Sequence, residues 1–255
     1  MSEKKYGVGV QIAALSVALL MYTTSMTTPA LAEIAKAFPT AAPETVKLLS
    51  IMMVIFALVA GKLTQVMSIK KVITISMLLI FVGGIPSAFV GDLNFMIAMR
   101  VVFGAGYGMV FPMASAVITD LFTGTQANKL MGFKSAVGAA AGVVFQSLGG
   151  FLAAYNWRFS FFGFFLVIPI AVLIWFKLPD TGVKKAEKAA DGSTVREKKL
   201  TTMTYVLALL CALLNIMQFS FMTNVAMVMS ADKLGDAGQA SFVLSTFTAG
   251  SFVIG

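Results

Sequence analysis

The chain has 255 residues, of which 58% are apolar and only 12% are charged. A soluble domain carries about 25% charged residues, so this composition excludes a water-soluble globular protein and predicts that lipid surrounds most of the chain. The net charge of +8 does not indicate nucleic acid, because the basic residues lie in short tracts between apolar runs, as orientation in a membrane requires. Membrane lipid is therefore the expected partner, and nucleic acid is not.

Uncharged apolar runs follow one another along the chain and predict an all-α, polytopic transmembrane bundle of about eight helices, since a spanning helix needs about 20 residues. The runs are continuous, whereas the strands of a membrane barrel alternate polar and apolar residues. The first run resembles a secretory signal, but it is longer than a signal's apolar region, so we expect an uncleaved first helix. The runs cover residues 6–32, 48–61, 72–91, 101–119, 135–157, 159–176, 200–231 and 239–255.

Lysine and arginine counts predict that the N-terminus lies in the cytoplasm. With this orientation the inner segments hold 14 of the 19 basic residues, which is a clear positive-inside bias. We therefore expect a multi-pass protein of the inner or cytoplasmic membrane. The inner segments are residues 1–5, 62–71, 120–134 and 177–199.

The longest polar stretch divides the chain. Residues 177–199 mix both charge signs with glycine and alanine and are typical of a cytoplasmic linker. A weak internal repeat, in which Met21–Ala30 aligns with Met217–Ala226, supports a boundary there. We predict a six-helix bundle over residues 1–176, the basic linker at 177–199, and the start of a second bundle over 200–255.

The chain lacks the residues that most catalytic centres use. It contains no histidine and a single cysteine, Cys211, inside an apolar run, so a zinc site or a His-based centre is excluded. The glycine-rich stretch Gly104–Gly108 is not a nucleotide-binding loop, because it lies within an apolar run and lacks the lysine that ends such loops. We expect no enzymatic activity, no metal and no cofactor.

Three stretches of the chain form an ordered set of motifs. The first has a glycine followed by basic residues, the second has the pattern Arg-x-x-x-Gly-x-Gly, and the third is rich in glycine. They are Gly61–Lys71, Arg100–Gly108 and Gly138–Gly150, followed by Trp157, Arg158 and Pro169. In this order they resemble the major facilitator superfamily, and the resemblance covers essentially the whole chain.

This resemblance implies a secondary transporter with about twelve helices in two six-helix halves around a central cavity. It implies alternating access for a small organic solute, with drug or metabolite efflux favoured over uptake and protons as a candidate coupling ion. The present chain corresponds to the first half and two helices of the second, so missing C-terminal helices or a second copy would complete the fold. A non-transporting membrane assembly or scaffold protein, or an inactive transporter fragment, is the alternative.

The first stretch resembles the gating loop of the family on the cytoplasmic side. Gly61, Lys70 and Lys71 match its glycine and basic positions. Gln65 stands at its acidic position and Ser68 at its second glycine. The resemblance implies a gating role for this loop, without the charge contacts that the acid makes.

Arg100 is the first candidate for the transport site. If its helix begins near Leu93, Arg100 lies about 10 Å inside the bundle at 1.5 Å per residue, where a guanidinium needs a partner. Arg100, Gly104, Tyr107 and Phe111 share one helical face by their spacing. One interpretation places Arg100 at the cavity for coupling or substrate binding, and the other makes it an anchor that reaches the interface.

Gln146 is the second candidate, since it interrupts a stripe of small residues on one face of the fifth run. Small residues allow helices to approach closely, and glutamine can hydrogen-bond across such an interface. Gln146 is therefore either interhelical packing or a ligand contact in a helix that slides during transport.

Polar residues of the first and seventh runs complete the set, because the resemblance implies that these two runs line the cavity. Interhelical hydrogen bonding is an equal alternative for each. The residues are Gln11, Tyr22, Asn215, Gln218 and Asn224.

Overall fold

The computed structural model describes residues 6–38, 63–64, 66–180, 182, 210, 217–218, 220–225, 227–229, 232 and 234–254. The predicted second run lies outside these residues, and so do Gly61, Gln65 and Asn215. The division into two bundles and a linker therefore stays a prediction.

Apolar composition produces long helices throughout the described residues, which contain no strand. Five of the helices, counted with their 3-10 extensions, are long and apolar enough to cross a membrane, and the predicted all-α class is confirmed. The α-helices are α1 (Val8–Tyr22), α2 (Leu31–Ala37), α3 (Ile69–Gly84), α4 (Leu93–Leu121), α5 (Gly124–Tyr155), α6 (Val167–Lys177) and α7 (Ala237–Ile254). The 3-10 helices are Thr23–Met26, Ile85–Ala88 and Trp157–Leu166.

The connection between α4 and α5 is shorter than the sequence indicates, because only Phe122 and Thr123 separate the two helices. The predicted polar segment 120–134 is therefore mostly helical. A helical backbone satisfies its own hydrogen bonds in water as well as in lipid, so helices extend past the end of an apolar run. The tight connection requires a left-handed residue, which Gly124 provides with a φ of 56°.

Glycines bring α3 and α4 into close contact at the centre of the bundle. A Cβ atom on Gly106 would lie 2.5 Å from the carbonyl oxygen of Ser76, and one on Gly83 would lie 2.4 Å from the backbone nitrogen of Phe103. Dispersion contacts and close backbone approach hold membrane helices together where lipid removes the hydrophobic driving force. The side chains of Ile73, Met77 and Ile80 are buried in the same interface.

The 3-10 helix at Trp157–Leu166 sorts its aromatic side chains into two columns. Three residues per turn place positions three apart directly above one another. One column, Phe161 and Phe164, is fully buried. The other, formed by Phe159, Phe162 and Phe165, is exposed at the outer surface of the bundle. A 3-10 helix of 10 residues is unusually long, and it places the buried column against α4.

Candidate functional site

A polar break ends α1 and ties it to α4. The hydroxyl of Tyr107 donates a hydrogen bond to the carbonyl oxygen of Met21 over 2.5 Å. The hydroxyl of Thr24 lies 3.2 Å from the same carbonyl oxygen and 3.4 Å from the Tyr107 hydroxyl, so it can donate to either. Tyr107 and Thr24 are both buried. Side chains thus satisfy a backbone carbonyl where α1 passes into the 3-10 helix.

Tyr22 packs its ring on the glycine face of α5. A Cβ atom on Gly138 would lie 2.6 Å from the Tyr22 hydroxyl oxygen, and one on Gly142 would lie 3.1 Å from the ring. The Cβ atom added to Gly142 would also lie 3.3 Å from the methyl carbon of Thr248 in α7. Gly142 is therefore the point where α1, α5 and α7 meet.

Gln146, one turn further along α5, makes a hydrogen bond to α7. The hydroxyl of Thr248 lies 3.0 Å from the Oε1 atom of Gln146 and 2.9 Å from the carbonyl oxygen of Leu244, so it can donate to either acceptor. The Gln146 side chain is buried. This arrangement is the interhelical bond that the small-residue stripe predicts as one of its two interpretations. We call Tyr22, Tyr107, Gln146 and Thr248 the junction cluster.

Arg100 lies inside the bundle, with a relative exposure of only 5%. Its guanidinium carbon is 5.0 Å from the ring centroid of Phe103, 4.9 Å from that of Phe161 and 5.8 Å from that of Phe164. We call these three phenylalanines the aromatic box. The Nε atom is buried without a hydrogen-bond partner among the described residues, and no described carboxylate forms an ion pair with Arg100.

The aromatic box borders the junction cluster. The rings of Phe103 and Tyr107 stack with centroids 5.9 Å apart and an interplanar angle of 23°. Two of the predicted site residues, Tyr22 and Gln146, therefore lie around Gly142, and a third, Arg100, is reached from them through Tyr107 and Phe103.

The other predicted contacts lie apart from this cluster. The Nε2 atom of Gln11 donates to the carbonyl oxygen of Tyr6, at 3.5 Å, near the start of α1. Asn224 donates to the carbonyl oxygen and hydroxyl of Ser220 within its own run, at 2.7 and 3.3 Å. Gln218 is exposed.

One basic residue of the predicted gating loop, Lys70, contacts the end of α6. The Nζ atom of Lys70 donates to the carbonyl oxygen of Trp175 over 2.8 Å and lies 5.6 Å from the centroid of its ring. Lys71 is exposed. The pKa of Asp180 is lowered, chiefly because the backbone N–H of Gly182 donates to its carboxylate over 3.1 Å, with smaller contributions from the charges of Lys71 and Lys70.

We expect the start of α3, which packs near Asp180 and the end of α6, to open more often in acid. A lowered carboxyl pKa stabilises the fold above the unfolded pKa of about 3.9, and this stabilisation is lost as the pH falls through the folded value. Hydrogen exchange of the backbone amides at 69–72, corrected for intrinsic rates, should show more opening as the pH falls from about 5 to about 3. In Asp180→Asn the opening should already be present at the higher pH. The same opening in wild type and variant across this range would contradict the prediction.

Sequence reasoning missed the aromatic box and Thr248. The spacing of Phe161 and Phe164 was the available signal, but residues three apart share a face in both α and 3-10 helices. Thr248 follows Gln146 by 102 positions, and no local pattern connects residues that far apart.

The sequence of the chain matches a known protein family. A sequence model of the Major Facilitator Superfamily matches residues 13–255. Multidrug transporter protein MdtP of Bacillus subtilis (strain 168) is 34% identical over 119 residues, which are 45% of this chain and 21% of that protein.

Solved structures share the fold at low identity. A D-xylose-proton symporter aligns with a TM-score of 0.67 and 14% identity, covering 96% of this chain and 66% of that chain. A bacterial homolog of the human lysosomal transporter Spinster, in an inward-facing and unoccupied conformation, aligns with a TM-score of 0.65 and 12% identity, covering 95% and 60%. The match covers less than two thirds of the length of each of these relatives. The family and the apolar helices identify a multi-pass membrane protein.

Proposed function

Because the chain belongs to the Major Facilitator Superfamily, we propose that it forms part of a secondary transporter that moves a small organic solute across a membrane by alternating access. Drugs or metabolites are the proposed solutes, since a sequence relative is named a multidrug transporter. Efflux with protons as the coupling ion, no enzymatic activity, and a cytoplasmic N-terminus in the inner membrane belong to the same proposal. The bias of basic residues toward one side supports that orientation.

The observation that carries the proposal is the hydrogen bond between Gln146 and Thr248. If the second bundle begins near residue 200, α7 belongs to it, while α1 and α5 belong to the first. The bond then crosses from one bundle to the other beside Tyr22. Rocking of two bundles must make and break contacts of this kind around the solute, so the junction cluster is the proposed transport site.

A flux assay with matched variants tests this placement. Protein from the complete reading frame is reconstituted in liposomes, and the uptake of labelled drug-like solutes is followed with and without a pH gradient. Gln146→Leu should lower the initial rate about tenfold, the equivalent of about 1.4 kcal/mol in transition-state free energy, because the polar contact to solute and α7 is lost. Gln11→Leu makes the same substitution near the start of α1 and should leave the rate nearly unchanged.

The outcomes separate the parts of the proposal. If no solute enters faster than in protein-free liposomes, the transport proposal fails and a scaffold role is favoured. If both variants transport like wild type, transport stands but the junction cluster is not the site. A rate that is independent of the pH gradient would exclude proton coupling.

A further inference from the structure

Arg100 carries a positive charge that has no negative partner among the residues that the structure describes. It is the one charged residue among the buried side chains that the structure describes. A guanidinium has five N–H donors and no acceptor, and charges inside a membrane protein are paired, hydrogen-bonded or functional. The aromatic box attracts the charge through its ring faces, but a phenylalanine ring has no lone pair to accept a conventional N–H bond. Nε accordingly remains without a partner in the described residues.

We propose that Arg100 neutralises an anionic group, a carboxylate or sulfonate, of the transported solute, which makes amphiphilic organic anions the substrate class. This inference rests on the proposed transport function and deepens it. The aromatic box lacks negative charge and hydrogen-bond acceptors, and a carboxylate supplies both. A carboxylate also binds a guanidinium through two parallel N–H bonds.

The surroundings of Arg100 fit the rest of such a solute. Phe103 stacks on Tyr107, and Tyr107 bonds to the end of α1 beside Tyr22. These rings are buried in the described conformation. When alternating access separates the helices around them, an apolar body can lie along the rings while its anionic group meets Arg100. A cationic solute would instead meet an unpaired positive charge in a medium of low dielectric constant, where like charges repel strongly.

A matched set of three probes tests the substrate class. The probes share a naphthalene body and carry a carboxylate, a neutral carboxamide or a trimethylammonium group. Their affinities are measured by calorimetry for protein from the complete reading frame in nanodiscs of zwitterionic lipid, so that anionic headgroups do not compete. We expect the carboxylate to bind about tenfold more tightly than the carboxamide, a difference of about 1.4 kcal/mol, and the ammonium probe to bind most weakly.

Two substitutions separate charge recognition from structural support. Arg100→Gln should remove the preference for the carboxylate and leave carboxamide affinity unchanged, whereas a merely structural role would weaken all three probes together. Arg100→Lys should retain the order of affinities. Arg158→Gln is the control, because Arg158 lies over the ring of Trp157 and bonds the carbonyl oxygens of Ala88 and Phe89. It should leave the order unchanged.

Several results would overturn the inference. In wild type, an ammonium probe that binds as tightly as the carboxylate excludes an anionic substrate class, whether or not any variant folds. If the preference for the carboxylate probe persists in Arg100→Gln, a residue other than Arg100 recognises the anionic group. Flux of cationic solutes alone would preserve the transport proposal and reject this one. Selective binding of the carboxylate without flux would reject transport and leave Arg100 only an anion-binding residue.

Discussion

Replacing Gly149 by alanine is expected to destabilise the bundle severely. A Cβ atom there would lie 2.2 Å from the carbonyl oxygen and 2.4 Å from the Cα atom of Met26. The colliding atoms belong to the backbone of the 3-10 helix that follows α1, so no side-chain rotation can relieve the overlap. Ser160 also donates to the carbonyl oxygen of Gly149 over 3.0 Å, which holds the third neighbouring segment in place. Overpacking of a core costs about 1–3 kcal/mol and sometimes more, and we expect the upper end here.

Gly132→Ala is the matched control, because it adds the same methyl group to the same helix. Apart from its chain neighbours and the backbone of its own helical turn, no described atom lies within 4 Å of the Cβ position at Gly132. Alanine favours the helix over glycine by about 1 kcal/mol, so this variant should melt at the same or a higher temperature. Size-exclusion chromatography after heating in detergent measures both melting temperatures. Equal shifts for the two variants would show that α5 and the first run do not approach as described.

The existence of the helices could be predicted from apolar runs, but the limits of the runs do not give the ends of the helices. The fourth uncharged run begins only after Arg100, whereas the helix start near Leu93, from which the depth of Arg100 is predicted, is confirmed. The helix itself begins at Leu93, where the side chain of Asp92 accepts a hydrogen bond from the backbone N–H of Asn94. A charge marks the end of a helix only when it is solvated, and Arg100 is instead enclosed by aromatic rings. Burial is a property of the assembled bundle, so the sequence alone does not distinguish the two cases.

The candidate site shows the same limit. Small residues around Gln146 predict a close helix neighbour, and α7 provides it at Thr248. Which helix approaches is decided by tertiary packing, because glycine and serine leave similar grooves on many faces. Gly150, for example, lies so near Ser241 that a Cβ atom would come within 2.1 Å of the serine Cβ. Composition therefore predicts that another helix packs closely along α5. Only the fold shows that this helix is α7 and that Gln146 and Thr248 form the hydrogen bond between them.

Phe164→Ala is expected to be the most damaging change to the aromatic box. Phe164 is fully buried between Arg100 on α4 and Gly84 on α3, where a glycine Cβ would lie 2.5 Å from its ring. Truncating a buried phenylalanine costs about 3–5 kcal/mol, and the loss of its cation–π contact adds about 0.5–2 kcal/mol. Phe165→Ala, at the next position, removes a ring that is 42% exposed. It should cost about 1–3 kcal/mol, because each of its two lost ring contacts, with Phe81 and Phe162, contributes about 0.5–1.5 kcal/mol.

The difference between these neighbours also tests the helix type. In an α-helix, residues three and four positions after Phe161 lie on the same face, so Phe164 and Phe165 would be buried together and their truncations would be similarly costly. In a 3-10 helix only the third residue returns to that face, and Phe165 belongs to the outer column. Unfolding in mixed detergent micelles, followed by circular dichroism, gives the free energy of each variant. Similar losses for the two would replace the 3-10 helix by an α-helix and would place Phe165 on the buried face with Phe161 and Phe164.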